Sequence, residues 1–280
     1  MNNLLKRTIV GSILGTLVAI TIFIHPTALY IISIIWIALA TAEFLRILDA
    51  KQISINRFLM ILLNVLIPTI FYLGYLFRAS SMSKIFSALY PLLLLVLFFY
   101  AMIKREQYYL IVPFGVFTLL YLGFLPSHLL FLKMWTRTHN FSFWRAGFIV
   151  FFPVAFTWVN DTAAYFVGSL IGKHKLAVKI SPKKTIEGFV GSIIISIIFS
   201  TFYLKGIFPE MSNFLSVLIG LILSVVAQVG DLVESGFKRD VGLKDSSQVL
   251  PGHGGFLDRV DSLLFTVPTF YYFLLFIITA

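Results

Sequence analysis

"LPGHGGFLDRVDSLLFTVPTFYYFLLFIITA" runs from Leu250 to Ala280. From Leu263 onward it holds no charged residue. At about 1.5 Å per residue, that run approaches the ~30 Å hydrocarbon core of a bilayer. Its first part crowds glycines, a histidine and two aspartates into the mouth of the apolar run. The rest of the chain repeats the apolar half. Of 280 residues, 59% are hydrophobic and 12% charged, about half the ~25% charged fraction with which a soluble domain covers its surface. Apolar segments recur near Thr8–Ile24, Leu29–Leu45, Phe58–Phe77, Ile85–Ile103, Tyr108–Leu125, Ala146–Leu170, Gly188–Leu204, Phe214–Leu232 and Leu263–Ala280. The pattern predicts an all-α, polytopic integral membrane protein with about nine transmembrane helices.

His25-Pro26 separates the first two segments, because proline lacks a donor and disfavours helix at the residue before it. The first segment follows Lys6-Arg7 but has no convincing small-x-small cleavage site, so it reads as a helix rather than a signal peptide. With Cys 0 the chain has neither disulfides nor thiol ligands. The net charge of +10 is read as orientation in a membrane rather than affinity for nucleic acid, for which no motif stands out. Assigned to alternate sides, Lys and Arg number sixteen against six of the 22. The bias predicts a cytoplasmic N-terminus and an outside C-terminus. Lys133, Arg137 and Arg145 weigh against it, in an outer loop where Trp135, Phe141, Phe143 and Trp144 suggest an interfacial aromatic belt. His25, His128, His139 and His174 stand at segment ends and read as interfacial.

Residues 1–125 read as a lipid-facing scaffold of five helices, and 126–280 as a four-helix catalytic half with cytoplasmic motif loops. The polar residues decide this. "FTWVNDTAAYFVG" (Phe156–Gly168) sets Asn160 and Asp161 inside the sixth segment, and "AQVGDLVESGFKRD" (Ala227–Asp240) sets Asp231 and Glu234 at the end of the eighth. Ionisable groups at such depth are costly and mark sites; Glu234, nearer the basic loop, is as readily an interfacial residue. In "GKHKLAVKISPKKTIEG" (Gly172–Gly188), Ser181-Pro182 reads as an N-cap and N1 pair. Lys183 and Lys184 then fall in a first helical turn, the unfavourable end for cations unless an anion binds there, so they are assigned to substrate phosphate. "DRVD" sets Asp258 and Asp261 three apart, on one face of a helix, a pair suited to Mg²⁺ with phosphate oxygens in its other positions. Gly252, Gly254 and Gly255 allow sharp turns, and His253 either meets a phosphate or braces the loop. Lys238, Arg239, Lys244 and Arg259 add cations on the same side.

"SGFKRDVGLKDSSQVLPGHGGFLDRVD" (Ser235–Asp261) resembles the signature of the phosphatidate cytidylyltransferase (CDP-diglyceride synthase) family, and "SPKKTIEG" (Ser181–Gly188) a second stretch of it. The resemblance implies a Mg²⁺-dependent nucleotidyltransferase of phospholipid biosynthesis. Such an enzyme condenses CTP with phosphatidic acid to CDP-diacylglycerol and pyrophosphate at the cytoplasmic membrane. It further implies that Asp231, Asp258 and Asp261 are catalytic and metal-binding, with room for a second cation. Ser181, Asp161 and the basic residues of both motifs would bind substrate, and a homodimer would form through the C-terminal halves. A secondary transporter with intramembrane carboxylates is the alternative, but no internal repeat is visible. The D-G-x-x-A-R pattern of CDP-alcohol phosphatidyltransferases is absent.

Overall fold

A computed structural model of the chain describes residues 3–77, 82–249 and 254–278. Its helices are α1 (Asn3–Ile24), α2 (Pro26–Asp49), α3 (Arg57–Leu76), α4 (Met82–Lys104), α5 (Tyr108–Thr118), α6 (Leu125–Thr138), α7 (Phe143–Ile171), α8 (Ile186–Ile207), α9 (Asn213–Asp240) and α10 (Leu263–Phe273). One antiparallel hairpin, β1 (Lys175–Ala177) with β2 (Ser181–Thr185), precedes α8. Among the described residues, six helical stretches are long and apolar enough to cross a bilayer. The shorter apolar helices Gly11–Ile24, Ala88–Lys104 and Leu263–Phe276 fall on other expected segments. The chain is an all-α polytopic membrane protein.

It forms two compact units. One comprises the chain through Met134 together with Asp245–Asp258; the other comprises Trp135–Lys244 and the chain from Arg259. The expected division at 125/126 lies inside a continuous helical stretch, Tyr108–Thr138, which passes through a π-helical turn at Leu119–Phe124. The signature loop, placed by sequence in the C-terminal half, packs within the N-terminal unit.

In that unit consecutive helices pack on one another, and local chemistry fixes their ends. His25 caps α2 by accepting from the Thr27 N–H (3.2 Å), with Pro26 following, so the predicted break stands. Asn56 caps α3 through the Leu59 N–H (3.0 Å). Buried Asn64 donates to Thr41 Oγ1 (2.9 Å), tying α3 to α2. Lys133 is not a loop cation. It is buried in α6 and donates to the Ile22 carbonyl (2.8 Å) at the C-terminal end of α1, where cations are favoured. Trp135 is buried too, so the aromatic belt is confined to exposed residues such as Phe143 and Trp144. His128, expected at an interface, is also buried; its ring packs between Phe124 and Phe131.

The second unit is a bundle of α7, α8, α9 and α10. Its centre is Asn160 on α7, 1% exposed. The Asn160 Oδ1 accepts from Ser196 of α8 (3.1 Å) and Ser224 of α9 (2.6 Å). One amide thereby joins three helices. Small residues make the approach close. A Cβ on Gly191 would stand 2.6 Å from Val167 of α7, and one on Gly220 would stand 2.8 Å from the Ile197 Cα of α8. Small residues and hydroxyls of this kind replace, inside a membrane, the hydrophobic drive that holds helices together in water.

Candidate active site

The site-bearing residues of the second unit converge through the packing just described. Asp161 follows Asn160 on α7 and presents an exposed carboxylate, toward which the Asn160 amide points at 3.5 Å. Asp231 lies on α9 directly after Gly230. A Cβ on Gly230 would stand 2.7 Å from the Asp261 carbonyl oxygen, so glycine lets the Asp261 backbone approach α9 beside Asp231. Lys184 on β2 reaches Asp231 Oδ2 at 2.5 Å. The "SPKKTIEG" stretch and the acid before the signature, 47 positions apart by number, thus meet in one ion pair.

The helix expected from Ser181 starts later. Ser181–Thr185 is a strand, paired Lys175 to Thr185 and Ala177 to Ser181. Thr185 is the N-cap of α8, accepting from the Gly188 N–H (3.1 Å). The first turn of α8 therefore holds Glu187, the sign its dipole favours. Glu187 fastens the hairpin by accepting from the backbone of Lys173 and His174, and from the His174 ring at 2.6 Å. The conflict between lysines and dipole disappears, because Lys183 and Lys184 project from a strand. Lys183 is exposed and Lys184 is the paired one. "DRVD" is not one helix face either: Leu257–Arg259 is a 3₁₀ turn and α10 begins at Leu263.

Electrostatics sets Asp261 apart. Burial, then the carboxylates of Asp231 and Asp161, push its carboxyl up to about 8, against the opposing pull of the Ser262 N–H (2.6 Å) and Lys238. Asp161 stands in the field of Asp231, Lys184 and Arg259. A cluster of oxygen donors whose charges repel one another suits Mg²⁺, which binds through one or two carboxylates and leaves its other positions to water and phosphate. Asp231 and Asp261 are the carboxylates of this cluster that could hold such an ion. Among the described residues no three His, Asp or Glu side chains form an all-protein cage, and Mg²⁺ needs none.

The other candidates are dispersed. Lys238 is turned inward and paired with buried Glu234 one turn earlier. Arg239 braces the chain, donating to the carbonyls of Ile180 (3.1 Å) and Leu243 (2.8 Å). Lys244 and Arg259 are exposed. His253 and Gly252 lie outside the described residues. Asp258, in the first unit, accepts from the Ser246 N–H (3.0 Å), the Ser246 hydroxyl (3.1 Å) and the Gly255 N–H (2.7 Å).

Residues 5–277 match the model of the Cytidylyltransferase family. The chain belongs to that family. It is 38% identical to the phosphatidate cytidylyltransferase of Bacillus subtilis (strain 168), over 85% of each chain. Across 133 residues it is 47% identical to that of Staphylococcus haemolyticus (strain JCSC1435), covering 48% of this chain and 49% of that one. Against the Staphylococcus aureus (strain COL) enzyme it is 45% identical over the same shares. In those alignments the chain spans about half the length of its staphylococcal relatives. Within this cytidylyltransferase-family chain, sequence reasoning overlooked Glu43. That buried carboxylate of α2, 3% exposed, accepts four hydrogen bonds from the signature loop. The signal was present, since Glu43 sits inside a predicted apolar segment as Asp161 does.

Proposed function

We propose that this membrane protein condenses CTP with phosphatidic acid, releasing pyrophosphate and leaving CDP-diacylglycerol in the bilayer. The observation that carries this reading is the Lys184–Asp231 pair, with Asp261 beside it, in a chain of the cytidylyltransferase family. An oxygen of the phosphatidate phosphate attacks the α-phosphorus of CTP, and the bond from that phosphorus to the bridging α–β oxygen breaks. The nucleophile is a phosphate monoester whose second pKa is about 6. It is anionic at neutral pH, so no strong general base is required. What remains is positioning and neutralisation of charge.

Lys184 and Arg259 supply positive charge for the triphosphate and the leaving pyrophosphate, and exposed Lys183 and Lys244 draw anionic substrates to the surface. Asp231 and Asp261 would hold Mg²⁺, with Asp258 given the same role by the resemblance; bound there, the ion neutralises triphosphate charge. Ser181, Asp161, Lys238, Arg239 and His253 are retained as substrate-side residues, and a homodimer and a second cation as part of the proposal. Because CTP is charged and cytosolic, both motif loops face the cytoplasm of the cell membrane.

Purified protein in detergent, given labelled CTP, phosphatidic acid and Mg²⁺, should transfer label into the organic phase only when phosphatidic acid is present. Label that stays in water would reject the activity. Orientation has its own measurement. The chain has no native cysteine, so single cysteines probed with an impermeant thiol reagent in intact cells report sidedness without background. Those at Ser142 and Ala280 should label from outside, and those at Ser181 and Ser247 only after the membrane is opened. External labelling at Ser247 would place the loop on the wrong side for CTP.

A further inference from the structure

Glu43 belongs to no motif, yet it accepts four hydrogen bonds from the signature loop. Its Oε1 accepts from the Ser247 hydroxyl (2.6 Å) and the Phe256 N–H (3.0 Å). Its Oε2 accepts from the Ser246 hydroxyl (2.9 Å) and the Leu257 N–H (2.9 Å). Among the described residues no Lys, Arg or His pairs with it. A buried carboxylate is expensive unless its charge is met, and here neutral donors meet it. They come from Ser246 and Ser247 on the one hand and Phe256 and Leu257 on the other, so one side chain joins two separate stretches of the signature.

Ser246 links this carboxylate to a second one. Its hydroxyl lies 2.9 Å from Glu43 Oε2 and 3.1 Å from Asp258 Oδ2, and one hydroxyl proton is shared between two acceptors. The glycines of the loop follow from the same arrangement. A Cβ on Gly255 would stand 2.5 Å from Glu43 Oε2 and closer still to Ser246 Oγ. Gly254 has φ +76°, and a Cβ there would stand 2.6 Å from Asp258 Oδ2. The backbone must come this close because two carboxylates draw it in.

We propose that Glu43 is a positioning residue: through Ser246 and the Phe256 and Leu257 amides it fixes where Asp258 stands. For its effect on turnover this rests on the function proposed above. Glu43→Gln keeps the size but puts an NH₂ where one pair of donors points. A serine hydroxyl can rotate to accept; the Phe256 or Leu257 N–H cannot. Hydrogen exchange on the full chain in nanodiscs, without substrates, should show residues 246–258 exchanging roughly 10- to 100-fold faster, the effect of losing a hydrogen bond to a charged group. Peptides from α7–α9 should be unchanged. With CTP, phosphatidic acid and Mg²⁺, kcat should fall by a similar factor while KM for CTP moves less than ~3-fold, a split that general destabilisation would not give. Ser247→Ala, which removes one donor, should shift both readouts the same way by less, and it serves if Glu43→Gln does not fold. Unchanged loop exchange in either folded variant would overturn the proposal, as would faster exchange with unchanged kcat. The exchange arm needs no turnover, so an inactive wild type would reject the cytidylyltransfer reading while exchange still decided whether Glu43 holds the loop.

Discussion

Carboxylates serve the two units in opposite ways. In the first, Glu43 and Asp258 are enclosed by backbone N–H groups and serine hydroxyls, and among the described residues no Lys, Arg or His pairs with Glu43. In the second, Asp161, Asp231 and Asp261 act on one another and on Lys184, and hydrogen bonds reach them from the Asn160 amide, the Ser235 hydroxyl and the Ser262 N–H. Donors that saturate a carboxylate fix a shape. Charges left facing charges are a reason to bind an ion or a phosphate. The contrast runs inside one signature, where an enclosed carboxylate, Asp258, and one facing other charges, Asp261, stand three residues apart.

The comparison can be broken most sharply at Asp261. Asp261→Asn should reduce turnover by at least ~10²-fold while leaving the detergent melting temperature unchanged or higher, since it removes repulsion. Asp258→Asn should lose as much activity and in addition speed hydrogen exchange in residues 246–258. If the two variants were indistinguishable by exchange, the contrast between the enclosed and the charge-facing carboxylate would collapse. Gly255→Ala tests the holding side alone. The added methyl has no room beside Glu43 and Ser246, and overpacking costs about 1–3 kcal/mol. Loop exchange should rise and kcat fall by roughly tenfold; normal kinetics would show that the close approach is dispensable.

The two lysines sharpen the chemical side. Lys184→Gln should raise the apparent KM for CTP or phosphatidic acid by about tenfold and flatten its dependence on salt. Exposed Lys183→Gln should change it less than ~3-fold. Equal effects would return the strand to general surface charge. The smallest change is expected at the helix junction. Ser224→Ala should cost about 0.6 kcal/mol of stability, typical for a hydrogen bond between membrane helices, with activity preserved; a large loss of activity would mean that Asn160 reports directly to Asp161.

Much of the fold was legible because apolar length is a blunt and reliable signal in a membrane protein. His25-Pro26 marked a helix boundary, and Asn160, Asp161 and Asp231 betrayed themselves by lying in apolar sequence. The hairpin was not legible. Ser181-Pro182 satisfies the local rules for a helix start, and only the competing cap at Thr185 and the Glu187 contacts with Lys173 and His174 choose the strand. Lys133 and Trp135 were misplaced for a related reason. A lysine that caps a distant helix looks in sequence like a loop cation, because its partner is a carbonyl 111 residues away. Glu43 was legible but undervalued, since its four donors lie more than 200 positions along the chain.

The Asn160 junction also bears on how the chain enters a bilayer. Ser192 and Ser216 satisfy their hydroxyls within their own helices, on the carbonyls of Phe189 and Asn213, so those groups make no demand on a neighbour. An asparagine amide has no such local outlet in mid-helix and stays costly in lipid until outside partners arrive. Its partners, Ser196 and Ser224, belong to helices made after α7. The sixth-segment helix therefore leaves the ribosome with an unmet polar group and waits for two later helices, as α2 with Glu43 waits longer still for the signature loop.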